Sequence, residues 1–146
     1  MKKSYSFVFF LILLSLVMIN TIAYACPAEN ANNNLENVYG VYKGAQATAD
    51  APCLYIVLAP NSVCYLTTYY PKANIFTTML KATYEMKDGC VLIASNDSST
   101  FVFKSQDKQL IYKTYDEEGN AVEAVYEKQD TSIDDFMKNV LGIYIN

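Results

Sequence analysis

Between residues 38 and 128 the sequence breaks into short runs of alternating apolar and polar residues, each ended by a turn signal. The runs fall at 38–44, 53–58, 63–70, 79–87, 90–95, 100–105, 109–115 and 121–128. Short strands at such regular spacing predict an all-β barrel or sandwich. The breaks have physical causes. Asp88-Gly89 separates "TYEMK" from "CVLIA", and Asp and Gly tolerate the positive φ that a two-residue hairpin needs. Pro60-Asn61-Ser62 parts "CLYIVLA" from "VCYLTTYY" in the same way. "NDSS" at 96–99, "SQDK" at 105–108 and "DEEGN" at 116–120 are further polar breaks. Connections this short make neighbouring strands antiparallel, so the expected fold is a small antiparallel meander β-barrel of about eight strands. The 13 tyrosines suit such a sheet.

Alternation predicts which side chains face inward. Around Asp88-Gly89, Met86 should oppose Val91 and Tyr84 should oppose Ile93. Ala82 and Leu80 continue that apolar face, while Lys87, Glu85, Thr83 and Cys90 lie on the other. A slip of one residue would invert the pattern. In the preceding hairpin the inner set is expected to be Leu54, Ile56, Leu58, Val63 and Tyr65, with Cys53 and Cys64 on the outer face. If Leu58 opposes Val63, Cys64 lies across from Val57, and Cys53 is four residues, or roughly 13 Å, further along. A disulfide needs Cα atoms within about 7 Å, so these two should not bond to each other.

The N-terminus reads as an export signal. Lys2 and Lys3 are followed by the apolar run Phe7–Ile19, broken only by Ser15, and then by Ala23-Tyr24-Ala25. This is the order of parts in a cleaved signal peptide, and the run is too short for a membrane span. The expected organisation is a signal peptide at 1–25, a polar tether at 26–37, a β-barrel at 38–130 and a C-terminal helix at 131–146. The tether, "CPAENANNNLEN", has little apolar content and no period. Export implies an oxidising compartment, which makes Cys26, Cys53, Cys64 and Cys90 disulfide candidates. Cys26, next to the cleavage site, is also a candidate for lipidation. Ala-x-Ala suits the ordinary signal peptidase, and lipid on Cys26 would strand three thiols.

The last segment changes period. In "TSIDDFMKNVLGIYIN" the apolar residues Ile133, Phe136, Met137, Val140 and Leu141 recur at helical spacing. Ser132 with Asp135 three residues later resembles a capping box, and Asp134 and Asp135 complement the helix dipole. Gly142 should end the helix. Its apolar face is expected to cover the barrel's flank or one open end. Its single lysine, Lys138, is too little positive charge for a membrane surface.

Composition narrows the chemistry. The chain has no histidine, arginine or tryptophan. Beyond the leader, nine lysines face fifteen acids, a net charge of −6. Nucleic acid is a poor partner for such a surface. Without histidine the commonest general base is missing, and no cysteine has a basic neighbour in sequence to activate it. Ser98 and Ser99 lack a base, and the acid groups Asp116-Glu117-Glu118 and Asp134-Asp135 read as solvated turns. No catalytic residue is expected. No zinc-type spacing occurs, and Met79, Met86 and Met137 read as core filler instead of copper ligands. Asn96-Asp97-Ser98 matches the glycosylation acceptor pattern by chance.

Several short motifs together resemble the N-terminal domain of NlpE-type copper-resistance lipoproteins. That family opens with a G-x-Y-x-G strand, matched by Gly40, Tyr42 and Gly44. Of its Pro-Cys-Ala-Asp-Cys loop only Ala49 and Asp50 match. Its Gly-Thr-Trp corresponds to Ala82-Thr83-Tyr84, and its closing turn to Tyr115-Asp116-Glu117-Glu118-Gly119. The similarity spans about 90 residues and implies a small lipocalin-like barrel in the bacterial envelope, linked to copper or envelope stress or to adhesion. The family's Cys-x-x-Cys falls on Thr48 and Ala51, so the resemblance brings no copper or redox role with it.

Three functions follow as expectations. The first is a non-enzymatic envelope protein that senses stress or binds a partner protein, with exposed tyrosines such as Tyr69-Tyr70 as a surface. The second is a lipocalin-like carrier of a small apolar ligand, since eight strands leave room for one. The third is a secreted inhibitor of an enzyme. Membrane association is expected only through a lipidated Cys26. The mature chain should start at Cys26 and, at 25 fewer than 146 residues, hold 121. Intact mass spectrometry of the exported protein checks this; a diacylglycerol increment on Cys26 would reverse the preference for disulfide over lipid.

Overall fold

The computed structural model describes residues 37–77, 79–94, 100–140 and 142. The leader and the tether up to residue 36, Cys26 among them, lie outside these, as do Asn96-Asp97-Ser98 and Ser99. The described chain forms β1 (Gly40–Gly44), β2 (Cys53–Ala59), β3 (Val63–Tyr70), β4 (Ile75–Phe76), β5 (Leu80–Lys87), β6 (Cys90–Ala94), β7 (Thr100–Gln106), β8 (Gln109–Tyr115) and β9 (Ala121–Lys128). Every pairing among these strands is antiparallel. Each strand of the meander pairs with the next, β4 aside, and β1 pairs with both β2 and β9, so eight strands close into a barrel. The two-residue β4 lies outside that ring, hydrogen-bonded to the end of β3.

The turns at one end are tight. Asp88 and Gly89 adopt φ of 51° and 77°, and Asp107 and Lys108 adopt 47° and 65°, the doubly positive geometry that matches strand twist in a two-residue hairpin. Met86 pairs with Val91 and Tyr84 with Ile93, as alternation predicts.

The β2–β3 hairpin differs from expectation by one residue. Asn61 and Ser62 both take positive φ (63° and 61°), so a three-residue turn brings Ala59 opposite Val63 and Leu58 opposite Cys64. The slip inverts β3. Cys64 and Leu66 face inward with Leu54, Ile56 and Leu58, whereas Val63 and Tyr65 belong to the outer face.

Two cores result. The barrel interior is filled by Tyr42, Ile56, Leu58, Cys64, Tyr84, Val91, Ile93, Phe103 and Leu110, with Ala82 and Val38. Outside, on the β1–β3 wall, Val41 and Val57 are covered by Phe136 and Met137, with Tyr55, Tyr65, Phe76, Met79 and Ile133 around them. This explains why "CLYIVLA" is apolar throughout: β2 is buried on both faces. Phe136 stacks on Tyr55 at 5.2 Å and meets Phe76 edge-on at 5.8 Å.

The C-terminal segment is helical over the described residues 133–140. It comprises an α-turn, Ile133–Asp135, continued by a π-turn, Phe136–Val140. Ser132 caps it: its Oγ accepts from the Asp135 backbone N–H at 3.0 Å and donates to the Asp135 carboxylate at 2.7 Å. The helix covers the flank, and Gly142 follows in the left-handed region at φ 66°.

The barrel is closed at one end by β1 and β9. Tyr42 and Lys128 pair, and Lys128 lays its stem across Gly40. A Cβ on Gly40 would come within 2.5 Å of Lys128 Cε, and its φ of 149° already disfavours a side chain. Gly40→Ala should therefore lose about 1–3 kcal/mol in urea unfolding through backbone strain. The loss should persist when Lys128→Ala has removed the clash; recovery in that background would assign the cost to the contact instead.

Candidate functional site

The two ends of the barrel are built differently. One carries the short turns at 60–62, 88–89 and 107–108, together with Val38 and the plug of Tyr42 and Lys128. The other carries, among the described residues, the longer connections 45–52 and 116–120 and the segment after β3 that holds β4.

Side chains that alternation points inward change in exposure along the axis. Near the closed end they are sealed: Tyr42 donates its hydroxyl to Val38 O at 2.8 Å, and Tyr84 to Ala59 O at 2.9 Å. Burial pushes the Tyr42 phenol up to about 12 and raises that of Tyr84 further. Toward the other end the inward positions open to solvent. Leu80, which pairs with the inward Leu66, is 64% exposed; Tyr70 is 42%, Phe101 39% and Val122 39%. Half-buried Leu54, Leu66, Tyr112 and Tyr126 lie below them, packed on the interior core. These exposed inward positions, the cup, lie at the ends of their strands away from the packed interior.

Aromatic rings shape one side of the cup. The β7–β8 ladder runs only from Gln106–Gln109 to Lys104–Ile111. Above it, Tyr112 meets Phe103 at 5.4 Å and Phe101 at 6.1 Å between ring centroids. Rings, not backbone hydrogen bonds, hold the upper halves of these strands together. Tyr126 meets Phe103 at 5.7 Å. Its hydroxyl is raised in pKa by burial first and by the nearby Tyr112 second. A cleft of about 350 Å³ opens at the rim between Gly44, Leu54, Ala124 and Tyr126. A second cleft, of about 430 Å³, lies outside the barrel between the 59–61 turn and the start of the helix.

The cysteines divide by face. Cys64 is fully buried in the interior core, not on the outer wall, because of the register slip. Cys53 is on the outer face but buried, near Tyr55. Both are free thiols on opposite faces of the wall, which separates them as firmly as distance along the strand would. Cys90 pairs with Lys87 and Lys104 on the outer face, at the closed end. It is buried there and disulfide-bonded, contrary to the solvent-facing position that alternation suggests.

The residues of the NlpE-like motifs have structural roles. Gly40 makes room for Lys128, Gly44 lies against the Tyr126 ring, and Tyr42 fills the closed end. Ala49 and Asp50 are exposed in the β1–β2 connection, where the Ala51 N–H closes a turn on Thr48 O at 3.0 Å. Asp116 organises the β8–β9 turn: its carboxylate accepts from the backbone N–H groups of Glu118 at 3.0 Å and Asn120 at 2.8 Å. These bonds, those of Asn120 foremost, lower its pKa. Gly119 completes the turn at φ 84°. Tyr69 is half-buried against Phe76 and donates to Asn74 at 2.9 Å, so Tyr70 alone of the Tyr69-Tyr70 pair is exposed, at the mouth. Met86 and Met137 pack in the interior and outer cores respectively, and Met79 edges the outer one.

No known family matches the chain, and no curated protein matches it. Among solved structures, the crystal structure of a mutant of the fluorescent protein UnaG is similar to it. The two are 14% identical with a TM-score of 0.40, over 66% of this chain and 99% of that one. Similarity at that level carries no functional weight, and the barrel stands on its own pairings.

Burial sets the alkaline behaviour. Cys64 is pushed from 9.0 up to about 12, and Tyr42 and Tyr55 from 10.0 up to about 12. Between the unfolded and folded pKa values the folded state holds more protons, so stability should be flat below about pH 9 and fall above it. Urea unfolding from pH 7 to 11 checks this. A thiol reagent at pH 8 should leave Cys53 and Cys64 unmodified in the folded protein and react with both after denaturation.

Proposed function

We propose that the protein is an exported, non-enzymatic carrier that holds a small apolar ligand in the open end of its barrel. The observation that carries this reading is the row of large inward-facing side chains left exposed at one end: Leu80, Tyr70, Phe101 and Val122. Such a patch costs solubility unless it has an occupant. Concave apolar sites at barrel mouths are where small ligands bind. The lower interior is packed, so the guest takes the upper half only.

The export signal and the NlpE-like motifs support a place in the bacterial envelope. The cysteines support a covalently pinned tether over a lipid anchor. Cys90 is in a disulfide and Cys53 and Cys64 are free, which leaves Cys26, of the chain's four cysteines, as the partner by count. A stress-sensing role would then depend on whether the cup is loaded. The reading is of binding without catalysis, in keeping with a chain that has no histidine or arginine.

Native mass spectrometry of protein purified from its own host is expected to show a co-purifying apolar compound. Ala124 faces the cup opposite Tyr112. Ala124→Trp should fill the space and weaken retention by about tenfold, worth about 1.4 kcal/mol, with a thermal midpoint close to that of the parent. An unoccupied parent protein that also takes up no apolar probe would remove the carrier reading.

A further inference from the structure

The cup has a property that narrows what it can hold. With no arginine or histidine in the chain, only lysine can supply a side-chain cation. All nine lysines beyond the leader are among the described residues. Lys43, Lys81, Lys104 and Lys113 lie on outward positions of their strands, and Lys87 likewise. Lys72 is in the connection after β3, Lys108 in a closed-end turn and Lys138 on the helix. Only Lys128 takes an inward position, and it is committed to the closed end. Its ammonium lies 6.0 Å from the centre of the Tyr42 ring and donates to Asn37 O at 3.2 Å. The packed floor separates it from the cup. Among the described residues no acid occupies an inward strand position either.

The polar groups at inward positions toward the open end are neutral, while the acidic Glu123, on an outward position, edges the rim cleft. The hydroxyls of Tyr112 and Tyr126 form no hydrogen bond to the described residues, while both rings pack in the aromatic cluster with Phe103. They offer donors to a guest's acceptor atoms on a surface suited to flat rings.

Resting on the carrier reading, we infer that the cup selects uncharged, ring-bearing apolar molecules with hydrogen-bond acceptors, and rejects carboxylates and sulfonates. An anion placed among the inward side chains loses its hydration and meets no inward-facing cation, because Lys72, on the mouth-end connection, is exposed to solvent. A fatty-acid-like amphiphile could not bury its head group in this site.

A matched pair of probes tests this on the full mature chain. N-phenyl-1-naphthylamine and 8-anilino-1-naphthalenesulfonate share one aromatic skeleton and differ by a sulfonate. The neutral probe should bind at least about tenfold more tightly. Val122→Lys, at an already exposed inward position, should raise sulfonate binding by about tenfold relative to the neutral probe. Equal binding of the two probes to the parent, or no gain from Val122→Lys, would overturn the charge selection while leaving the carrier reading intact. Failure of both probes to bind would remove the carrier reading and the selectivity with it.

Discussion

The ladder between β1 and β9 is the contact on which the rest of the molecule depends. It joins Tyr42, Lys43 and Gly44 to Lys128, Glu127 and Tyr126, residues more than eighty positions apart, and turns a linear meander into a ring. Every other pairing in the ring is between strands consecutive in the meander. The entropic cost of closing a loop grows only slowly with its length, but this closure cannot form until the whole sheet has curled. Gly40 makes it sterically possible, and the stem of Lys128 fills the space that Gly40 leaves. A sheet without this seam would expose two edges to other chains.

The closure also creates the asymmetry that gives the barrel a use. Because Tyr42, Tyr84 and Lys128 stopper the end where the short turns lie, the interior cannot be a channel. The remaining inward side chains become a lining instead of a core. The same alternation that buries Val91 and Ile93 in the floor leaves Leu80 and Val122 in contact with solvent. No special motif is needed: strand pattern, closure and a stopper suffice to make the two ends of the barrel unlike.

Much of the fold is legible in the sequence because its turns are chemically explicit. Asp88-Gly89 defines β5 and β6 and their register without ambiguity. Pro60-Asn61-Ser62 marks a turn but not its length, since either a three- or a four-residue loop satisfies the pattern. The choice rests on Asn61 and Ser62 both adopting left-handed backbone, which Ser does only under tertiary constraint. That one residue moves Cys64 from wall to interior and Tyr65 from interior to wall. The cup itself leaves a fainter trace. Leu80, Phe101 and Val122 look like ordinary core positions in an alternating strand, and only the three-dimensional level of each strand end reveals that they sit above the packing. The absence of Arg and His is plain in the composition, but its meaning depends on knowing where each lysine points. Strand β4 is too short to announce itself.

The wall of the barrel is of unequal thickness. On the β1–β3 side it is double, because Phe136, Met137 and Phe76 lie over Val41, Val57 and Tyr55, and β2 has no face in water. On the β7–β9 side it is a single layer, and its backbone ladder is already interrupted above Lys104. Breathing motions follow the weaker side. A single-layered flank with a three-pair ladder opens at lower free energy than a double-layered one, so the β7–β8 seam is where this barrel yields first.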